Sequence, residues 1–165
     1  MLSRSILILL VSLLCQNSID AQEMNNQSLR KIIKSNADSL SGDLGNWQFV
    51  FESLPMLCLT DEVHNRMRIL TPVADADDLH SNEVKRCLEA NFHTALDVKY
   101  AISDNVLWVV FIHPLKELSK DQVIDAIYQV YNAAATFGTS YSSTYLAFPE
   151  RGRQINKKPK ILDKS

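Results

Sequence analysis

His113 is a candidate for acid–base chemistry in this sequence. It ends an unbroken apolar run from Leu107 to Ile112 and is followed directly by Pro114. An imidazole titrates near neutral pH and can exchange a proton with a substrate when a partner group holds it in place. The hydroxyl-rich segment 139–144, "TSYSST", offers nucleophiles for such a site. Together these residues could form a small hydrolase or ligand-binding enzyme.

The local sequence nevertheless favours structural roles for both features. Pro114 restricts His113 to extended geometry and lacks a backbone N–H, so the pair ends a strand. The stretch "GTSYSS" (138–143) has Ser142 where a nucleophile elbow needs its second glycine, and a helix precedes it where the elbow needs a strand. A loop whose hydroxyls satisfy its own backbone or touch a ligand is the preferred interpretation. Tyr141 and Ser142 are its candidate ligand contacts.

Acidic and imidazole side chains cluster between residues 75 and 93. The set is Asp75, Asp77, Asp78, His80, Glu83 and His93. A calcium loop starting at Asp75 would need Gly and Glu where His80 and Arg86 stand. His93 lies more than three helical turns beyond His80, too far to share its ligand set, and no H-E-x-x-H motif occurs. We therefore predict no metal and no cofactor. We expect Asp77 or Asp78 to cap the following helix instead.

Arg66 and Arg68 are candidate binding residues. They alternate with Met67 and Ile69, so both arginines point away from the buried side of a predicted strand. Such guanidinium groups can pair with carboxylates of a partner, or can form a solvated face. The sequence leaves both alternatives open.

The composition is that of a soluble globular protein. The chain has 165 residues, 46% hydrophobic and 22% charged, with a formal net charge of −2. This length suits one domain with peripheral segments. The charge argues against a nucleic-acid-binding surface, so no nucleic-acid partner is expected.

The first residues have the pattern of an export signal. Arg4 precedes a nine-residue apolar run from Ile6 to Leu14, interrupted by Ser12 alone, and the small residue Ala21 offers a cleavage point. A run of nine residues is too short to span a bilayer as a helix. We interpret residues 1–21 as a cleaved signal peptide and predict a periplasmic or secreted protein that begins at Gln22.

Removal of the signal leaves two cysteines, Cys58 and Cys87. An oxidising compartment allows them to form a disulfide. Cys87 also lies on the apolar face of a predicted helix, where a buried free thiol is expected equally. Both alternatives stay open at this stage.

Apolar periodicity divides residues 22–148 into the elements of one α+β domain. The predicted elements are a helix over 28–40, strands over 47–54, 56–60 and 66–73, a helix over 79–94, strands over 96–102 and 105–112, and a helix from an S-x-x-Q capping box at 119 to Gly138. The resulting order α-βββ-α-ββ-α implies an antiparallel sheet of about five strands flanked by helices. Apolar residues on both sides of the last strand predict a central strand that is covered on both faces. Residues 149–165 form a basic tail, predicted to be disordered, that could touch anionic surfaces weakly.

This order of elements resembles the type III secretion chaperone-like fold, including the YbjN group of small bacterial proteins. The resemblance covers residues 28–137 and is carried by "WQFVF" (47–51), "MLCLT" (56–60), "MRILTPV" (67–73), "LEANF" (88–92) and "LDVKYAISDNVLWVVF" (96–111). It implies a binding protein without enzymatic activity. It also implies a dimer that holds extended segments of client proteins along its sheets and helices.

The sequence therefore predicts an exported, non-enzymatic module that binds a protein or peptide segment. Addition of a strand at an open sheet edge is the expected mode, because edge strands carry unpaired backbone groups. A homodimer is the further expectation. The alternative is the small enzyme built from His113 and the loop 139–144.

Overall fold

Residues 23–144, the part of the chain that the computed structural model describes, form three α-helices and six strands. In chain order they are α1 (Asn26–Asn36), β1 (Ser39–Asp43), β2 (Asn46–Phe51), β3 (Leu54–Asp61), β4 (Arg66–Asp75), a 3-10 turn (Ala76–Asp78), α2 (Ser81–His93), β5 (Val98–Ser103), β6 (Val106–His113) and α3 (Lys120–Ala135). None of the helices within these residues is long and apolar enough to cross a membrane. The predicted signal (1–21) and basic tail (149–165) lie outside the described residues.

All strand pairs are antiparallel, and the sheet order is β1-β2-β3-β4-β6-β5. β1 and β5 are thus the two edge strands. Helix α3 packs across β4, β6 and β5, α1 packs against α3 and β1, and α2 packs against β5. This arrangement confirms the predicted α+β class with an antiparallel open sheet.

The sheet has one strand more than the sequence indicated. The predicted helix extends to residue 40, but α1 ends at Asn36 and Ala37 is already extended. β1 occupies a stretch assigned to that helix and to a loop, and it pairs with β2 through Leu40 opposite Phe49. Gly42 has φ +101°, and a Cβ there would lie 2.4 Å from the carbonyl oxygen of Asn46, so the tight β1–β2 connection requires glycine.

The core lies between the helices and one face of the sheet. Trp47, Phe49 and Phe51 of β2 are all buried there, as their alternation predicted. Val123 and Ile127 of α3 are buried against the same face. Each large side chain removed from water in this way contributes about 1.5–3 kcal/mol to folding.

Local capping chemistry fixes the helix starts. The predicted capping box of α3 is confirmed: the hydroxyl of Ser119 accepts from the backbone N–H of Gln122, and the Gln122 side chain accepts from the N–H of Ser119. The predicted aspartate cap of α2 is wrong. α2 begins after His80, whose N–H donates to the Glu83 carboxylate at 2.9 Å, because the 3-10 turn separates the aspartates from the helix.

Helices within the described residues cover only one face of β6. The strand is central, as predicted, since it lies between β4 and β5. Leu107, Val109 and Phe111 are buried under the helices. On the other face Val110 is buried, Trp108 is half-buried and Ile112 is 51% exposed, so residues 23–144 cover this face only in part and supply no second layer of helices.

Candidate functional site

The sheet face turned away from the helices is mostly apolar. We call it the outer face and define it by the side chains that alternate with the buried ones on β2, β3, β4 and β6. Its apolar members are Val50, Pro55, Leu57, Leu59, Leu70, Pro72, Trp108, Val110 and Ile112. Pro55, Pro72 and Ile112 are exposed, Val110 is buried, and the other apolar members are half-buried. A partly exposed apolar surface of this kind is typical of an interaction site.

A groove of about 320 Å³ lies on the outer face. Pro55, Pro72 and Trp108 form its apolar part, while Ser41 and Gln48 bring hydroxyl and amide groups from the β1 side. The Trp108 indole N–H donates to the backbone carbonyl of Ser103 at 3.3 Å, which holds the ring on the surface. None of the described residues that line the groove is ionisable, so the groove can receive an apolar side chain but offers no acid–base group.

Arg66 and Arg68 project from β4 on this same face, in the orientation that the sequence predicted. Both are exposed. Arg68 lies between Leu59 of β3 and Ile112 of β6 in the strand register. Neither guanidinium forms an ion pair with any residue of the described chain. Arg66 donates to the neighbouring backbone carbonyl of Asn65 at 3.3 Å.

His113 is the last residue of β6, where Pro114 ends the strand as predicted. Its Nδ1 lies 2.8 Å from the carbonyl oxygen of Pro114. Its ring is stacked on Phe111, with centroids 5.9 Å apart and planes 9° apart. These contacts give the imidazole a structural role at the end of the strand.

His113 also borders an open notch of about 370 Å³ beside the start of β5. Its polar lining consists of His113, Asp97, Lys99, Gln122 and Asp125. The buried amide of Gln129 donates to Asp97 at 3.1 Å and to Asp125 at 2.7 Å, and so holds the two carboxylates in place. Lys99 donates to the backbone carbonyls of Leu96 and Val98. No hydroxyl or thiol of residues 23–144 lines the notch, so the described chain places no serine, threonine, tyrosine or cysteine nucleophile there.

The hydroxyl-rich loop lies at the opposite end of α3 from this notch. Gln122 borders the notch, whereas Thr136 binds the loop through the N–H of Ser142 at 2.9 Å. Fourteen residues of helical rise separate Gln122 from Thr136, or about 21 Å. His113 and segment 139–144 are therefore not assembled into one site.

Tyr141 is packed into the domain, whereas Ser142 is half-buried and its hydroxyl donates to the backbone carbonyl of Thr144. Tyr141 is buried, and its ring lies 4.5 Å beneath the guanidinium of Arg86. It contacts Tyr100 and Phe137 edge-on. The Tyr141 hydroxyl is buried without a hydrogen-bond partner among the described residues. The sequence could not show this packing, because it depends on the position of α2 over the loop.

The acidic and imidazole residues of 75–93 do not converge. Asp75 and Asp77 both accept from the Asn105 side chain, at 2.9 and 2.8 Å, and so tie the 3-10 turn to the β5–β6 hairpin. His93 packs its ring against Phe92 at the end of α2. Among residues 23–144, no three His, Cys, Asp or Glu side chains are grouped closely enough to hold a metal ion.

Cys58 and Cys87 are free and buried. Of the two alternatives that the sequence left open, the structure contains free thiols and not a disulfide. Burial raises the pKa of the Cys58 thiol from 9.0 to about 12 and that of Cys87 to about 11. Thiols protonated this strongly are poor nucleophiles.

Asn91 is a residue whose role sequence reasoning missed. It lies in the apolar stripe of α2, and its side-chain amide binds the edge strand β5 in place of a further strand. Asn91 Nδ2 donates to the Tyr100 carbonyl at 3.1 Å, and the Tyr100 N–H donates to Asn91 Oδ1 at 2.8 Å. The N–H of Val98 is also satisfied, by the carbonyl of Ala95. The β5 edge is therefore partly closed, whereas β1 pairs within the described chain with β2 alone. A polar amide at an apolar position of a helix was the signal available in the sequence.

The fold is similar to that of type III secretion chaperones. SchA, in the structure of the HopA1–SchA chaperone–effector complex, matches with a TM-score of 0.53 and 10% identity over 66% of this chain and 88% of that chain. The Yersinia pestis type III secretion chaperone SycH, in complex with a stable fragment of YscM2, matches with a TM-score of 0.52 and 10% identity over 68% and 98%. The ExsC–ExsE complex gives a TM-score of 0.51 and 13% identity over 67% and 92%.

Sequence comparison adds no relative to these structures. No family model matches the chain. No curated protein matches it either. At 10–13% identity the likeness establishes the fold alone, and it confirms the type III secretion chaperone-like fold that the element order predicted.

Proposed function

We propose that this protein is a non-enzymatic module that holds a segment of another protein on its outer face. One observation carries the proposal: β6 is apolar on both sides, yet helices cover only one side within residues 23–144. Apolar surface left in water costs about 25 cal/mol per Å², which a bound segment would recover. The outer-face groove beside Trp108 is the place for its apolar side chain.

The structural neighbours support this kind of function. SchA forms a chaperone–effector complex with HopA1, and SycH is a secretion chaperone in complex with a fragment of YscM2. Both neighbours are thus found together with a second polypeptide. The separation of His113 from the loop 139–144 supports binding over the alternative hydrolase.

The open edge at β1 extends the proposed binding surface. Ser39 and Ser41 of β1 border the outer-face groove, so a segment seated there lies beside an edge strand without a further neighbour in the described chain. Strand addition at β1 is a second mode, for a part of the partner other than the part on β4, because three strand spacings, about 14 Å, separate β1 from β4. The partly closed β5 edge, with Asn91 bound to Tyr100, is less suited to the same use.

Affinity capture with outer-face variants tests this function. A tagged chain should recover a stoichiometric protein partner from native extract, and Ile112→Asp should abolish recovery because it places a charge in the apolar face. The matched control is Val63→Asp, since Val63 is an 89% exposed apolar residue outside the outer face. Both variants should keep the native circular dichroism spectrum. Equal recovery by Ile112→Asp and the unaltered protein would refute binding on the outer face.

We also propose that the protein is exported, because residues 1–21 carry the pattern of a cleaved signal. Expression of the full sequence in a bacterial host, followed by N-terminal sequencing of the periplasmic fraction, should give a chain that begins at Gln22. Arg4→Glu should reduce this processing, since it removes the positive n-region. Recovery in the cytoplasm with Met1 retained would contradict export.

We further propose a homodimer that forms through α2. Leu88 is 64% exposed and Phe92 is 85% exposed, and the two are one helical turn apart on the same face. A two-fold axis can bury the same stripe on both copies. Light scattering should give a dimer mass for the unaltered protein and a monomer mass for Phe92→Ser, while Val63→Ser stays dimeric. A monomeric unaltered protein at micromolar concentration would refute the dimer.

A further inference from the structure

We propose that the segment held on the outer face is extended and carries apolar residues toward one end and acidic residues toward the other. This inference rests on the proposed function and adds the chemistry of the partner. The outer face changes along β4 from apolar at Pro72 and Leu70 to basic at Arg68 and Arg66. A complementary segment must change from apolar to acidic in the same direction.

Arg68 is placed to bind a carboxylate strongly. Its cross-strand neighbours are Leu59 on one side and Ile112 on the other, so the base of its side chain is surrounded by apolar groups. No hydrogen bond or ion pair links its guanidinium to another residue of 23–144. A guanidinium can donate two parallel hydrogen bonds to one carboxylate, and such a pair gains strength where a bound segment excludes water.

The carboxylate nearest to Arg66 in the sheet is already engaged elsewhere. Asp61 faces Arg66 across β3 and β4, but its side chain accepts from the N–H of His64 at 2.9 Å and lies 2.6 Å from His64 Nδ1. Arg66 therefore lacks an ion-pair partner in the described chain, as Arg68 does. Arg66 and Arg68 together with the Asp61 carboxylate give this end of the outer face a net charge of +1, and Arg68 is the guanidinium that faces no carboxylate across the strands.

The strand spacing sets the pattern of the segment. Successive side chains on one face of a strand are about 7 Å apart, so Pro72, Leu70, Arg68 and Arg66 occupy four positions, three steps apart in all, over about 20 Å. An extended segment lying along β4 places every second side chain on these positions. The matching pattern is apolar-x-apolar-x-acidic-x-acidic, with the first apolar side chain in the groove beside Trp108.

Synthetic peptides test this chemistry without knowledge of the natural partner. The acidic probe is a fluorescein-labelled nine-residue peptide, Ser-Leu-Ser-Leu-Ser-Glu-Ser-Glu-Ser, and its counterpart has Lys in place of both Glu. Fluorescence anisotropy should show the acidic probe binding at least tenfold more tightly at low salt. Added NaCl should reduce this difference in affinity between the two probes, because salt screens exposed charges.

Charge reversal separates recognition from stability. Arg68→Glu should invert the preference, so that the lysine probe binds more tightly than the acidic probe. A merely structural role for Arg68 could not produce such a gain. The control is Arg30→Glu on the exposed side of α1, which should leave both affinities unchanged.

The outcomes distinguish the partner chemistry from the proposed function. If Ile112→Ser and Trp108→Ala weaken both probes equally and Arg68→Glu changes neither, the outer face binds segments but the acidic pattern is wrong. Failure of both probes to bind at millimolar concentration also overturns the pattern. In that case the capture experiment with Ile112→Asp still decides separately whether the outer face binds protein.

Discussion

Replacement of Asn91 by leucine should destabilise the domain and open its β5 edge. Asn91 makes two hydrogen bonds to the backbone of Tyr100, one as donor at 3.1 Å and one as acceptor at 2.8 Å. Leucine has a similar volume but neither group, so the N–H and C=O of a buried strand residue lose their partners. The free Tyr100 groups then resemble those of an ordinary unprotected edge strand.

The size of the effect follows from the two lost bonds. Each contributes about 1 kcal/mol, and a buried group left without a partner costs about 1–3 kcal/mol, so Asn91→Leu should lower the free energy of unfolding by about 2–4 kcal/mol. Urea unfolding followed by circular dichroism measures this value. With a slope of about 2 kcal/mol per M, the midpoint should fall by about 1–2 M.

The control for this substitution is Asn82→Leu, in the exposed first turn of the same helix. It makes the same chemical change without an edge-strand contact and should stay within about 0.5 kcal/mol of the unaltered protein. Asn91→Leu should also increase self-association in size-exclusion chromatography. If its unfolding free energy matched that of Asn82→Leu, the amide would not be protecting the edge.

Three further predictions concern thiols, capping and pH. In the chain from residue 22, Cys58 and Cys87 should resist a thiol reagent at pH 8 and both react after unfolding, because burial raises their pKa to about 12 and about 11. Ser119→Ala should lower the free energy of unfolding by about 1 kcal/mol, since it removes the acceptor of the α3 capping box. Hydrogen bonds from the backbone and side chain of His64 lower the pKa of Asp61, so the stability that this carboxylate provides is present above its unfolded pKa and is lost as the pH falls through its folded one. Asp61→Asn should therefore show a smaller loss of stability between pH 5 and pH 3.

The capping and pH predictions each have a matched control variant. Ser140→Ala removes an exposed loop hydroxyl and should leave the free energy of unfolding unchanged. Asp43→Asn removes an exposed carboxylate that has no hydrogen bond within residues 23–144, and its acid sensitivity should match that of the unaltered protein. Rapid modification of Cys58 in the folded chain would contradict its burial. An acid profile of Asp61→Asn identical to that of the unaltered protein would contradict the role of His64.

The elements that the sequence predicted well are those fixed by local chemistry. The capping box starting at Ser119 predicts the start of a helix, and the aromatic alternation from Trp47 predicts a strand. Each prediction needs only a few neighbouring residues. β1 does not, because its side chains are mostly exposed and Leu40 alone is half-buried. Its strand conformation depends on pairing with β2, and the residues of β1 show no periodicity that would predict this pairing.

Some features of the candidate site could likewise be predicted from the sequence, and others could not. The outward direction of Arg66 and Arg68 follows from alternation along one strand, and the structure has it. The burial of Tyr141 depends on Arg86, which is distant in sequence and stacks on its ring. The edge contact of Asn91 likewise joins a helix to a strand. Contacts between elements cannot be derived from the pattern within either one.

The strongest functional signal is the prediction that β6 is covered on both faces. The described helices cover one of these two faces. An unbroken apolar run from Leu107 to Ile112 is typical of a strand buried on both faces. The helices bury one face, and Ile112 on the other remains 51% exposed. Solubility alone would favour polar residues at these outward positions, since leaving apolar surface in water carries a free-energy cost. We therefore propose that a second covering layer comes from outside residues 23–144, and the charge of Arg68 beside this face favours an acidic partner segment as that layer.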